Sequence, residues 1–157
     1  MKLAFAVLLL FAIVPIDANA NESARLEVKV AGQPVSLDSS KDLAVKFWLQ
    51  QLVLSALYSN VVQESTVSEW ATALQGDATI HCRYPVNSLL AIPERRTLTF
   101  DEVLLPVPVR GWPAYVYLKH GSTYTRVAKY DPWVLAKLKV ESGISTTLEP
   151  TISRRLF

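Results

Sequence analysis

Cysteine is nearly absent from this sequence, which has a single one, Cys82, among 157 residues. One thiol cannot close an internal disulfide, so the chain is not a disulfide-stabilised scaffold. Cys82 is either a buried, unreactive side chain or a thiol that pairs with another chain. Histidine is also rare, at two residues, and neither lies in a ligand spacing such as HExxH or CxxC. We therefore expect no metal site and no cofactor.

The sequence also has few glycines and a small net charge. The five glycines are scattered, so the sequence has no phosphate-binding loop, and the GxSxG motif is missing. The formal net charge is only +2, which argues against a nucleic-acid partner. These absences favour a non-catalytic binding or protein-interaction module over an enzyme.

Long apolar runs are confined to the N-terminus. Lys2 precedes an apolar run from Leu3 to Ile16, and the small residues Ala18-Asn19-Ala20 follow. This order predicts a signal peptide over residues 1–20, and therefore a periplasmic or extracellular protein. The alternative, a membrane anchor, is disfavoured because the run is shorter than the ~20 residues that a spanning helix needs. We expect no transmembrane segment after removal of the signal peptide.

The remaining sequence predicts a single α+β domain over residues 21–143, followed by a loosely ordered C-terminal tail over 144–157. We expect a mainly antiparallel sheet of four to six strands, with a buried apolar helix and two shorter helices packed on it. The predicted strands are Leu26–Val30, a short return at Val35 and Leu37, Ala78–Tyr84, Thr97–Val109 and the two strands of a hairpin over Ala114–Tyr130. The predicted helices are Lys41–Tyr58, a second between Thr66 and Gly76, and Trp133–Ser142.

Three short motifs predict where the helices begin. Ser39 with Asp42, and Thr66 with Glu69, have the spacing of a capping box. Asp131-Pro132 combines an N-cap aspartate with a proline at the first helical position.

Prolines and an acidic pair predict the limits of two strands. Pro85 is expected to end the third strand, leaving Val86–Arg96 as a loop. The strand Thr97–Val109 is expected to be broken or bulged at Asp101-Glu102. Pro106 and Pro108 have the same parity, which predicts that its second half is an edge strand.

The helix Lys41–Tyr58 is unusually apolar. Its polar side chains form only a narrow stripe that we expect to face water: Lys46, Gln50, Gln51 and Ser55. A helix of this kind is expected to be covered on most sides. The alternative is that part of it is an exposed contact for a protein, a lipid surface or a second copy of the chain in a homo-oligomer.

The hairpin contains the most distinctive surface in the sequence. With Gly121-Ser122 as the turn, one face is mainly aliphatic and the other collects aromatic and cationic side chains. These candidate binding residues are Tyr115, Tyr117, Lys119, Tyr124 and Arg126. They are suited to stacking on sugar rings or on a protein partner of the cell envelope. The competing interpretation, which we favour for the fold, is that the helix Lys41–Tyr58 covers this face.

A catalytic alternative uses the few reactive groups in the chain. An exported hydrolase or transferase would need Cys82 activated by His120, or carboxylates from the Asp101-Glu102 region. Adjacent residues on a strand point to opposite faces, and no motif places Cys82 near His120. The sequence therefore gives this alternative little support.

Overall fold

Antiparallel strands form one seven-stranded sheet in the part of the chain that is described, with the order β2-β1-β4-β5-β6-β7-β3. The computed structural model describes residues 24–58, 62–92, 96–108 and 111–145. Its strands are β1 Arg25–Val30, β2 Gln33–Val35, β3 Val62–Glu64, β4 Ala78–Ile92, β5 Arg96–Val107, β6 Val116–His120 and β7 Thr123–Val127. Its helices are α1 Ser39–Tyr58, α2 Val67–Leu74 and α3 Pro132–Glu141. The fold class is α+β, as predicted, with slightly more strands than the four to six expected.

The extra strand is β3, which no pattern in the sequence predicts. It is only three residues long and pairs antiparallel with β7 at one edge of the sheet. The predicted signal peptide and most of the predicted tail, residues 146–157, lie outside the described residues. At the start of that tail, Ile144 packs against the core and the N–H of Ser145 donates to the carbonyl of Lys139.

The predicted hairpin is confirmed in register. Val116 pairs with Val127, Leu118 with Thr125, and His120 with Thr123. Gly121 has φ +56°, in the region that favours glycine. The prediction succeeds because one short turn fixes the alignment of both strands.

Strand β4 is longer than predicted, so the loop expected at Val86–Arg96 is wrong. The strand continues through Pro85 to Ile92 and pairs with β5 as a long hairpin. The register slips between Arg83 and Ser88, and Pro85 lies in this slip. A proline is tolerated there because the ladder is already interrupted.

Strand β5 lies between β4 and β6, so it is not an edge strand along its whole length, and the edge expected in its second half holds only past Leu104. Its register with β6 covers only Glu102 to Leu104. Pro106 and Pro108 lie past that register, where β5 has no described strand on its β6 side. The predicted break at Asp101-Glu102 is supported by the positions of Phe100 and Val103. In a regular strand these two side chains would point to opposite faces, yet both belong to the same buried cluster.

Helices α1 and α3 pack together on one face of the sheet and form the main core with it. The cluster combines Leu49, Leu52 and Leu135 of the helices with strand residues such as Ile80 and Leu118. Asp131 caps α3 as predicted, its carboxylate accepting the N–H groups of Trp133 and Val134 at 2.7 and 3.2 Å.

The polar side of α1 differs from the prediction. Lys46 is only 3% exposed, whereas Leu43 and Phe47 are 48% and 49% exposed. The Lys46 ammonium is held by Asp42, 2.6 Å away and one turn earlier, which compensates its burial. Asp42 therefore serves this pair, and the expected Ser39–Asp42 cap is wrong, since Asp38 accepts the N–H of Lys41 instead.

Candidate functional site

The short helix α2 lies on the face of the sheet opposite to α1 and α3. Its first turn has the predicted capping box: the Thr66 hydroxyl accepts the N–H of Glu69, and the Glu69 carboxylate accepts the N–H of Thr66. The Ser65 hydroxyl and the Thr66 N–H both donate to Glu69, and they lower the pKa of its carboxyl group. Glu69 is thus fixed as an anion above the sheet.

Two of the predicted binding residues lie under α2. Tyr117 and Tyr124 pack against a small cluster formed by Trp70, Ala73 and Leu104. The expectation that the helix Lys41–Tyr58 covers this face is wrong, because that helix packs on the opposite, aliphatic face. Periodicity identified two faces of the hairpin correctly but does not say which helix covers each of them.

The two predicted cations are already paired within the protein. Arg126 donates to Glu69 and to Gln63, at 2.5 and 3.0 Å. Lys119 donates to Glu102 and lies 6.0 Å from the centres of the Trp70 and Tyr124 rings. This hydrogen bond to Glu102 raises the pKa of Lys119. The face therefore presents ordered, charge-compensated groups and not free positive charge.

Tyr115 lies beyond the end of the β6–β7 ladder. The Arg126 guanidinium stacks over its ring, 4.5 Å from the ring centre, and the Tyr117 ring meets it edge-on at 6.2 Å. Tyr115 is half-buried and lies outside the cluster beneath α2. These three side chains form a stacked ledge beside α2, which we call the tyrosine ledge: Tyr115, Tyr117 and Arg126.

A polar centre that the sequence reasoning missed lies beneath the same helix. His81 is 2% exposed, its Nε2 lies 2.8 Å from Oε2 of Glu102, and its ring meets Trp70 edge-on at 5.8 Å. Glu102 also accepts from Lys119, and the Nε of Arg83 lies 3.4 Å away. Thr79, His81 and Arg83 alternate along β4 and therefore share a face, but the register with β5 is needed to identify Glu102 as the partner of His81 and Arg83.

Burial and hydrogen bonding shift the pKa values of this centre in opposite ways. Burial lowers the pKa of His81, and the hydrogen bond to Glu102 offsets this only in part. Burial alone would raise the pKa of Glu102, but the hydrogen bonds with Lys119 and His81 bring it below its ordinary value. The pair is therefore neutral histidine with ionised glutamate near pH 7.

The groups of the catalytic alternative are not brought together. Cys82 is buried on the α1 face, and burial raises the pKa of its thiol to about 11. His120 lies at the hairpin turn, 3.7 Å from Asp101. His120 lies two strands away from Cys82 and two residues further along, so their Cα atoms are roughly 11 Å apart. This distance exceeds the reach of a general base. Asp101 accepts the N–H of Gly121 while Glu102 faces His81, so the two carboxylates serve different neighbours.

Among the described residues, no group of three or more histidine, cysteine or acidic side chains is arranged to hold a metal ion. None of the helices in the described ranges has the length and hydropathy to cross a membrane. Comparisons with protein-family models, with curated proteins and with solved structures give no match.

Proposed function

We propose that this chain is a small exported protein that binds a protein or carbohydrate partner of the cell envelope and carries out no catalysis. The observation that carries the proposal is the tyrosine ledge. Three side chains with planar groups are held side by side at the border of the surface that α2 covers. Such ledges bind sugar rings and protein surfaces at a low cost in conformational entropy, because the rings are already oriented.

The paired charges indicate how this ledge would bind. Arg126 is held by Glu69 and Lys119 by Glu102, so neither contributes a free charge to attract an anion. We therefore expect stacking and burial of apolar area to supply most of the affinity. Binding should weaken little as salt is raised, in contrast to binding by exposed unpaired cations.

The experiment is affinity capture with the immobilised protein. Cell-envelope polysaccharides and, separately, secreted proteins of the producing organism are passed over wild type and over the double variant Tyr115→Ala/Arg126→Gln. Loss of two contacts at the centre of a binding surface should weaken retention of the specific partner at least about tenfold. Trp133→Ala is the matched control, because Trp133 is an aromatic residue on α3 that is 59% exposed.

Equal retention by wild type and a folded double variant would contradict the proposal. Circular dichroism of each variant establishes the folded state. Weaker retention by Trp133→Ala, with the double variant unaffected, would place binding on α3 instead. Retention of neither polysaccharide nor protein by wild type would also contradict it.

Export is tested separately. The order of charge, apolar residues and small residues in the first twenty positions supports cleavage after Ala20. The mass of the protein recovered from its producing organism should then correspond to a chain beginning at Asn21. An intact N-terminus would contradict export by this route.

A homo-oligomer formed through α1 is the second candidate, and one observation favours it. Leu43 and Phe47 are one turn apart and about half exposed, and Phe47 meets Trp48 edge-on at 5.1 Å. Light scattering should then give a mass above that of the monomer, and Phe47→Ser should reduce it. A monomeric wild type would contradict this candidate.

A further inference from the structure

A cavity of about 390 Å³ lies on the α2 side of the sheet, away from the tyrosine ledge. Its volume falls in the ~300–1,000 Å³ range of small-molecule sites. Strands β1, β2 and β4 and the C-terminal end of α2 line it, and it is open to solvent on one side. Its apolar lining includes Pro34, Val35 and Leu74, and its polar lining includes Lys29, Thr79 and His81.

Lys29 offers hydrogen-bond donors to this cavity. Its Nζ donates to the carbonyl oxygen of Leu74 at 3.1 Å, and an ammonium group has further N–H donors beyond that one. None of the ion pairs formed among the described residues uses Lys29. Its charge is therefore available to an anionic group, in contrast to those of Lys119 and Arg126.

His81 offers a hydrogen-bond acceptor. Its Nε2 donates to the Glu102 carboxylate, which leaves a lone pair on Nδ1 of the neutral ring. Nδ1 is buried and has no hydrogen-bond partner within the described residues, and a ligand reaches it by a small shift of the side chains around it. A buried acceptor in this state gains from a ligand that donates an N–H or O–H.

The sheet register fixes the spacing of the two groups. Lys29 pairs with Thr79, and His81 follows two residues later on β4. Diagonal neighbours of this kind have Cα atoms about 7–8 Å apart. One small ligand can therefore contact both side chains.

We propose that this cavity binds a small hydroxylated carboxylic acid of monosaccharide size, such as a sugar acid. Its carboxylate lies on the Lys29 ammonium, a hydroxyl group donates to Nδ1 of His81, and its carbon skeleton lies against Leu74 and Pro34, the cross-strand partner of Lys29. Arg83 and Glu27 also line the cavity, paired with each other at 2.8 Å. The site is independent of partner binding at the tyrosine ledge.

The test is a titration of the isotope-labelled protein with sodium glucuronate, followed by amide chemical shifts. Saturable shifts should be confined to β1, β2, β4 and the end of α2. Glucose lacks the carboxylate and cyclohexanecarboxylate lacks the hydroxyl groups. Each should bind at least about tenfold more weakly than glucuronate. This comparison uses wild type alone and does not depend on a variant that folds.

Three variants locate the ligand. Lys29→Met should weaken glucuronate binding about tenfold, and Lys29→Arg should largely retain it. Lys41→Met is the matched control, because Lys41 is an exposed lysine on α1 that does not line the cavity, and it should bind as wild type does.

Several results would overturn the proposal. They are the absence of saturable shifts with glucuronate, equal binding of glucose or cyclohexanecarboxylate, and equal weakening by Lys29→Met and Lys41→Met. Shifts confined to the hairpin would also overturn it, since they would place the acid on the tyrosine ledge.

Discussion

The Nε2 atom of His81 on β4 lies 2.8 Å from Oε2 of Glu102 on β5, beneath α2. The same carboxylate accepts a hydrogen bond from Lys119 on β6. One half-buried anion thus joins three neighbouring strands at their centre. The surface on the α2 side of the sheet depends on this anion for its charge balance.

Replacing Glu102 by glutamine should destabilise the protein by about 1–3 kcal/mol, because Lys119 and His81 lose a charged acceptor. The measurement is urea unfolding at pH 7. Glu64→Gln is the control, since Glu64 is exposed on the edge strand β3, and its effect should stay within about 0.5 kcal/mol. Equal stability of the two variants would show that the Glu102 centre contributes nothing.

Stability should fall on acidification, and the pKa directions give the sign. The pKa of His81 is lower in the folded protein than its ordinary 6.5, so the unfolded chain binds more protons and stability decreases as the pH drops below about 6.5. The pKa of Glu102 lies below its ordinary 4.5, so a second loss follows below about pH 4.5.

Free energies of unfolding measured between pH 8 and pH 3 check both losses. His81→Phe should remove the loss that begins near pH 6.5, and Glu102→Gln should reduce the loss below about pH 4.5. An unchanged pH profile in His81→Phe would mean that His81 titrates alike in both states.

Cys82 should not react with thiol reagents in the native protein. The side chain is fully buried, and the pKa of its thiol is raised to about 11, so the reactive thiolate is scarce at pH 8. Ellman's reagent should label the protein only after denaturant is added. Labelling of the native protein at a rate like that of the denatured chain would contradict the placement of Cys82 in the core.

Ala31 occupies a strained turn position. It has φ +50° and precedes Gly32 at φ +74°, between the paired Val30 and Gln33. Ala31→Asn should stabilise the protein by about 1 kcal/mol, because asparagine tolerates this conformation. Thermal and urea unfolding measure the gain.

The control for this turn is Ala71→Asn, an exposed position within α2. The same substitution should cost about 0.5 kcal/mol there through lower helix propensity. A loss of stability at both positions would contradict the left-handed conformation of Ala31.

Local signals in the sequence predicted the local structure well. The register of the 114–130 hairpin follows from its turn, and the caps at Thr66 and Asp131 follow from side chains that reach their own helix. Each of these features is determined by residues close together in the chain.

The errors concern relations between distant residues. Pro85 was predicted to end a strand, but it lies in a register slip between β4 and β5 where the strand continues. The slip depends on the pairing with β5, which is distant in the sequence. Lys46 was predicted to face solvent, but it is buried and paired with Asp42. Its burial depends on how α1 packs in the fold, which the helix pattern alone does not show. Glu102 was considered as a bulge residue and as a candidate catalytic carboxylate, but not as the partner of His81 and Lys119, because these two residues reach it across strands.

We propose that α2 divides the tyrosine face, so that Tyr124 serves the fold and Tyr115 is available to a binding partner. Urea unfolding of Tyr124→Ala and Tyr115→Ala tests this division directly. Tyr124 packs in the cluster beneath α2, and Trp70 lies 5.7 Å from it. Tyr124→Ala should therefore cost about 2 kcal/mol and Tyr115→Ala less than about 1 kcal/mol. A cost for Tyr115→Ala that equals or exceeds that for Tyr124→Ala would contradict the account, because Tyr115 would then be part of the folding core.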